Sequence, residues 1–78
     1  MTEPLRIDPG ERTADEIIDA LDAGKRILVT VEMLGRSHDI SLRYDGTHYY
    51  CDTPTRLHKH NDEDEMRRCV EKMNYAKV

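Results

Sequence analysis

The sequence contains no tryptophan and no phenylalanine, and four tyrosines are its only residues of the Phe, Trp and Tyr class. Large aromatic side chains anchor many protein interfaces and form the platforms on which unpaired nucleic-acid bases stack. A core must therefore be built from aliphatic residues, methionine and tyrosine. With 78 residues the chain makes one domain, and a domain of this size buries only about 60–65% of the surface that its unfolded chain exposes.

Long apolar runs and a cysteine framework are also lacking. No stretch approaches the ~20 apolar residues of a membrane helix, and the longest run, residues 27–31, already includes Thr30. Two cysteines, Cys51 and Cys69, are too few and too far apart for a secreted disulfide scaffold, and no signal-like apolar segment begins the chain. We expect a cytoplasmic protein with reduced thiols and no membrane partner.

Positive charge is scarcer than negative charge. Sixteen acidic side chains oppose twelve basic ones, giving a formal net charge of −4, and arginine outnumbers lysine by eight to four. An acidic surface repels nucleic acid unless a local basic patch reverses its field. We therefore expect no nucleic-acid partner, and the acidic, arginine-rich composition is compatible with a salt-adapted source.

Two segments have helical periodicity. Thr13 and Glu16 form a capping box and Gly24 supplies a stop, so a first helix is predicted over 13–23. Asn61 or Asp62 caps a second helix, predicted over 62–75. The apolar stripes of the two helices are Ala14, Ile17, Ile18 and Leu21, and then Met66, Cys69, Val70 and Met73.

Between Lys25 and Asp52 the apolar period is two, which is typical of strands. Turn signals at 35–36 and 45–46 divide the segment into three antiparallel strands, and two-residue turns there would set Val31 opposite Ile40 and Leu42 opposite Tyr49. Residues 1–12 form either an N-terminal arm or a short edge strand.

The resulting order, α-β-β-β-α, predicts an α+β fold over 13–78. We expect a two-layer sandwich in which two helices cover one face of a three-stranded antiparallel meander. The double-stranded-RNA-binding domain has the same element order, but it places cations at the start of its second helix. Residues 62–65 here are four carboxylates, which would repel phosphate.

The predicted register places Glu32, Asp39 and Asp52 in one row on the outer face of the sheet, with Arg43 and Tyr50 in neighbouring rows. This face is either simply solvated or a surface for a cation or a partner. The first strand lies at an edge of the sheet and lacks protective proline. We therefore expect a homodimer, formed through that edge or through the outer face.

The loop that leaves the third strand is the other candidate site. Arg56, His58 and His60 make a possible ligand loop beside a helix N-terminus, and His58, His60 and Asp52 are weak candidates for metal ligands. No Cys-x-x-Cys pair supports a metal, so no metal or cofactor is predicted.

Catalytic residues are not assigned. The two cysteines, Cys51 and Cys69, are expected to face each other in a dry core as inert small hydrophobes. No glycine-rich oxyanion loop or nucleophile elbow accompanies them.

Three segments, 27–32, 49–58 and 65–69, are similar to segments of a known protein family, and Tyr-Tyr-Cys-Asp-Thr-Pro at 49–54 is the most distinctive of these similarities. Over roughly residues 13–76 the chain resembles a family of small uncharacterised haloarchaeal proteins. The resemblance implies a cytoplasm rich in KCl, and it implies no activity.

The sequence thus favours a self-associating or partner-binding module without catalytic activity. The alternative is a protein that binds a small ligand or a metal through residues 52–60. A partner-binding module should show clustered apolar groups on its surface. A ligand site should instead show a concavity into which His58 or His60 turns.

Overall fold

The computed structural model describes residues 4–54 and 56–77 and confirms the α+β class. A mixed five-stranded sheet has the order β1-β3-β4-β5-β6, and β2 and β7 form a small parallel pair. The elements in chain order are β1 (Leu5–Ile7), β2 (Arg12–Thr13), α1 (Ala14–Asp22), β3 (Ile27–Met33), β4 (Arg36–Tyr44), β5 (Tyr49–Asp52), β6 (Leu57–His60), α2 (Glu63–Lys72) and β7 (Ala76–Lys77).

Both helices begin at the caps that the sequence predicts. The Glu16 amide donates to Thr13 Oγ1 at 3.2 Å, and the Thr13 amide donates to Glu16 Oε1 at 3.0 Å. The Glu65 amide donates to the Asp62 side chain at 2.9 Å, which caps α2. That helix ends earlier than predicted because Asn74 adopts a left-handed conformation with φ of 62°. Among the described residues, neither helix has the length and apolar character that a membrane crossing needs.

The core lies between the helices and the inner face of the sheet. Alternate residues of β3, β4 and β5 point inward and are buried against the apolar stripes of the helices. An ion pair between Arg67 and Asp15 joins α2 to α1. The buried set is Ile7, Ala14, Ile17, Ile18, Leu21, Ile27, Val29, Ile40, Leu42, Tyr49, Cys51, Met66, Val70, Tyr75 and Ala76.

The predicted three-stranded meander is wrong at its first edge. β1 pairs in parallel with β3, with Leu5 beside Ile27 and Ile7 beside Val29, and α1 makes the crossover between them. Of the two alternatives for residues 1–12, the short edge strand is the one formed, although residues 1–3 lie outside the described range. The edge of β3 was expected to be open for dimerisation, but β1 covers its first part, from Ile27 to Val29.

The sheet also extends beyond its predicted last strand. Residues 57–60 were expected in a loop, but they form β6, which pairs antiparallel with β5. His58 lies opposite Cys51 and His60 lies opposite Tyr49. Because opposite residues share a face, the two histidines belong to the inner face of the sheet.

Both hairpin registers differ from the prediction by two residues. The first turn is Leu34–Gly35 instead of 35–36, so Val29 pairs with Ile40, and the second connection is a four-residue loop that sets Leu42 opposite Cys51. A shift of two moves every partner but leaves each side chain on its predicted face. The predicted division into inner and outer residues is therefore correct.

The helix-on-sheet packing predicts a sharp contrast between two leucines. Leu21 is 0% exposed in α1, whereas Leu34 in the hairpin turn is 103% exposed. We expect Leu21→Ala to lower the free energy of unfolding by about 2–5 kcal/mol, because it removes buried methyl groups and leaves a cavity. Leu34→Ala is the matched control and should change it by less than about 0.5 kcal/mol. Urea titration followed by circular dichroism measures both, and equal losses would contradict this assignment of the core.

Candidate functional site

On the outer face, the structure separates the three carboxylates that were predicted to share a row. Glu32, Asp39 and Asp52 occupy three successive rows, so the predicted row is wrong. Asp39 accepts a hydrogen bond from Thr30 Oγ1 at 3.0 Å and forms an ion pair with Arg6 at 3.3 Å. The register thus spaces the three carboxylates apart, and Asp39 is paired with protein groups.

The other two residues singled out on the outer face, Arg43 and Tyr50, contact each other. The Arg43 guanidinium lies 4.4 Å from the centre of the Tyr50 ring, and Tyr50 donates a hydrogen bond to Asp45 at 3.0 Å. Amide donors at His48 and Thr47 lower the pKa of Asp45 to about 2. These groups satisfy one another and stabilise the β4–β5 loop. That this face binds a cation or partner stays a prediction.

A groove opens between α2 and the strands β5 and β6, on the inner side of the sheet. It has a volume of about 320 Å³ and is lined by Cys51, His58, His60, Glu65, Arg68, Cys69, Lys72 and Met73. A second concavity of about 310 Å³ adjoins it and is lined by Ile40, Thr53, Pro54, Arg56, His58, Met73 and Tyr75. Since His58 and Met73 line both, we treat the two concavities as one site and call it the histidine groove.

All three residues of the predicted ligand loop meet in the histidine groove. Arg56 and His58 line one part, and His58 and His60 line the other. The turn that holds Arg56 is fixed by its amide, which donates to Thr53 Oγ1 at 3.0 Å, and by the Thr53 amide, which donates to the Arg56 carbonyl at 2.9 Å. Asp52 belongs to the outer face, opposite Leu57, and therefore does not join the histidines.

The charge of the groove is opposite in sign to that of the whole chain. Arg56 approaches from the β5–β6 turn, while Arg68 and Lys72 project from α2 one helical turn apart. Within residues 4–54 and 56–77, none of these three cations forms a salt bridge. Among the residues that the structure describes, Glu65 is the one carboxylate that lines the groove. The positive charge of the groove is thus available to a ligand.

One polar atom in the groove lacks a partner. Nε2 of His60 is buried and has no hydrogen-bond partner among the described residues. The His60 ring lies parallel to that of His58, with 6.3 Å between ring centres. Buried nitrogen atoms are nearly always hydrogen-bonded in native proteins, and an exception often marks a functional position.

The two cysteines differ in burial, contrary to the expectation that both face each other in a dry core. Cys51 is fully buried, but Cys69 is only partly buried and lines the groove. A hydrogen bond from the Cys51 thiol, together with the neighbouring imidazoles of His60 and His58, lowers the pKa of Cys69. The same hydrogen bond, together with the burial of the Cys51 thiol, raises the pKa of Cys51. Cys69 is thus the thiol that ionises first.

Metal-binding geometry is not found in the part of the chain that the structure describes. No group of three or more His, Cys, Asp or Glu side chains there is placed to hold a metal ion.

The comparison with protein families assigns the whole chain. Residues 1–78 match the model of a family of unknown function. The chain belongs to this family, DUF8001. No curated protein and no solved structure matched the sequence. Membership confirms the resemblance to an uncharacterised family, and the family description adds no activity.

In this DUF8001 chain, the sequence predicts the groove residues on the side of β6 but not those on α2. Arg68 and Lys72 were not singled out, although their spacing of four places both on one side of a helix. Their position became informative only once β6 had paired with β5 and had brought His58 and His60 under α2. Cys69 was noticed, but as a core residue.

An unpartnered buried nitrogen should lower stability, which a substitution can test. We expect His60→Leu to raise the free energy of unfolding by about 1 kcal/mol, because an unsatisfied buried polar group costs ~1–3 kcal/mol and leucine has none. Lys59→Leu is the matched control, since Lys59 is exposed and belongs to the other face of the same strand. Chemical denaturation compares the two variants. A loss of stability in His60→Leu would show that His60 serves the fold.

Proposed function

We propose that this domain binds a small organic anion in the histidine groove. The observation that carries the proposal is the buried, unpartnered Nε2 of His60 in a concavity whose cations have no salt-bridge partners among the described residues. A neutral or protonated imidazole and a guanidinium both recognise carboxylate, sulfonate or phosphate oxygens. The ligand would supply the hydrogen bond that His60 lacks.

The lining of the groove further specifies the ligand. Each of its two parts measures about 310–320 Å³, within the range of small-molecule sites. Met73, Ile40 and Tyr75 provide apolar contacts in one part, and Cys51 provides one in the other. An apolar body bearing one acidic group therefore fits the groove better than a purely ionic ligand.

Electrostatics supports a local site of this kind in an acidic protein. The formal net charge of −4 repels anions at long range. Arg56, Arg68 and Lys72 reverse the sign of the field within the groove. An anion is therefore held by close contact with these cations rather than by the overall field.

Self-association remains a second proposal, and it receives weaker support. The most exposed large apolar side chains, Leu34 and Leu57, lie in the first hairpin turn and in β6. The sheet register separates them by roughly 20 Å, so they do not form one patch. One observation favours a dimer, namely that the outer edge of β6 is unpaired within the described chain.

The cellular setting belongs to the proposal as well. The acidic, arginine-rich composition supports a salt-rich cytoplasm and a haloarchaeal source, and both stay predictions. A reducing interior of this kind would keep Cys51 and Cys69 as thiols.

Anion binding can be measured with 1-anilinonaphthalene-8-sulfonate, an apolar sulfonate. We expect saturable binding to the native protein, and we expect Arg68→Gln to weaken it several-fold, since a loss of 1 kcal/mol corresponds to about fivefold. Fluorescence titration gives the affinity, and amide chemical shifts should change mainly at residues 51, 58–60 and 68–73.

The control is Arg36→Gln, which removes the same charge from an exposed position of β4 near the hairpin turn. This variant should bind the sulfonate as the parent does. Equal weakening by both substitutions, or shift changes spread over the whole sheet, would contradict a specific site in the groove.

Self-association has its own measurement. Sedimentation velocity at molar KCl should give a dimer that dissociates when Leu57 is replaced by Asp, because a charge there would be desolvated at the interface. Leu34→Asp, in the hairpin turn, is the matched control. A monomer at high protein concentration would overturn this second proposal.

A further inference from the structure

The histidine groove contains two cysteines, Cys51 and Cys69, whose thiol chemistry plays no part in the proposed binding of an anion. Cys51 is 0% exposed on β5, and Cys69 lies above it on α2, partly buried and open to the groove. Both cysteines line the same groove, between β5 and α2. Cys69 is therefore the more accessible of the two thiols to a small molecule in the groove.

The surroundings of Cys69 favour its thiolate. From β6, His58 and His60 lie close enough to interact with the sulfur electrostatically. From its own helix, Arg68 and Lys72 place two cations along the same groove, where Glu65 supplies a carboxylate. Partly exposed thiols in electropositive surroundings are the reactive ones in proteins, whereas thiols buried in apolar surroundings are inert.

Two other ionisable groups complete the surroundings of the pair. Tyr75 packs near both cysteines, and burial, followed by the charges of Cys51 and Cys69, raises its pKa to about 12, so it stays neutral. Asp52 follows Cys51 in the chain but belongs to the outer face, where its charge disfavours ionisation of Cys51. Each of these features leaves the negative charge on Cys69.

We propose that the histidine groove carries a thiol–disulfide exchange site, in which Cys69 attacks a low-molecular-weight disulfide and Cys51 resolves the product. This activity goes beyond the proposed function, because it requires a disulfide bond in the incoming molecule and no acidic group. His58 and His60 are positioning residues that keep the Cys69 sulfur ionised.

The exchange proceeds in two balanced steps. The Cys69 thiolate forms a bond to one sulfur of the disulfide, the bond between the two small-molecule sulfurs breaks, and the first thiolate leaves. Cys51 then bonds to the Cys69 sulfur and loses its proton to the second departing thiolate. The protein gains a Cys51–Cys69 disulfide, and the small disulfide is reduced to two thiols.

Intact-mass spectrometry of the folded, reduced chain with oxidised glutathione tests the proposal. The parent protein should lose both thiol hydrogens and retain no glutathione. Cys51→Ser should stop at the mixed disulfide, which peptide mapping should place on Cys69. Cys69→Ser should react at least about tenfold more slowly, because the remaining thiol is buried and neutral. Where Cys51→Ser does not fold, Cys51→Ala serves in its place, with circular dichroism as the check.

A second readout separates reactivity from fold. The rate of alkylation of Cys69 by iodoacetamide should rise with pH around a midpoint below the ~8.5 of an ordinary cysteine. His60→Gln should move that midpoint upward while leaving the circular dichroism spectrum unchanged. A midpoint at or above 8.5, equal reaction of Cys51→Ser and Cys69→Ser, or thiols that react only in denaturant would each overturn the proposal. Because sulfonate binding is measured separately, loss of exchange with intact binding refutes this activity alone.

Discussion

Packing of the two helices against the inner face of the sheet, α1 over β3 and β4 and α2 over β5 and β6, is the interaction on which the rest of this structure depends. Ile27, Val29, Ile40 and Leu42 are at most 1% exposed, and burial of each such side chain contributes roughly 1.5–3 kcal/mol. This surface holds α1 as the crossover between β1 and β3, and the same buried cluster includes Met66 and Val70 of α2. Toward β6 the inward positions change from aliphatic residues to histidines, and the groove opens there.

Sequence periodicity predicts the face of the sheet on which a side chain lies better than it predicts the residue opposite on the neighbouring strand. The two hairpins show why. Alternation with a period of two decides which side chains are buried, and a register error of two residues leaves that decision intact. Turn chemistry decides the partners. Leu34 takes φ of 54° in the first turn, a conformation that leucine rarely adopts. In the second, Asp45 accepts two backbone amides and closes a four-residue loop around the Asp-Gly signal.

The groove was only half predictable for a related reason. Residues 57–60, Leu-His-Lys-His, contain no aliphatic alternation, so the strand that they form is recognisable only from its pairing with β5. Without that strand, the two histidines could be assigned to a polar loop but not to a face of the sheet. Cys69 shared the spacing of the apolar stripe of α2 and was therefore interpreted as a core residue. The structure shows that Cys69 is only partly buried and lines the groove.

Features that oppose stability are concentrated in the histidine groove, whereas several polar groups on the other side of the sheet have protein partners. Asp39, Asp45 and Tyr50 all have protein partners on the outer side. In the groove, Nε2 of His60 has none among the described residues, and the pKa of Cys69 is lowered by its surroundings. A small aliphatic core leaves little surplus stability to offset such groups. Their convergence at one place, in a chain that resolves similar conflicts elsewhere, favours a ligand or a reaction there over a structural role.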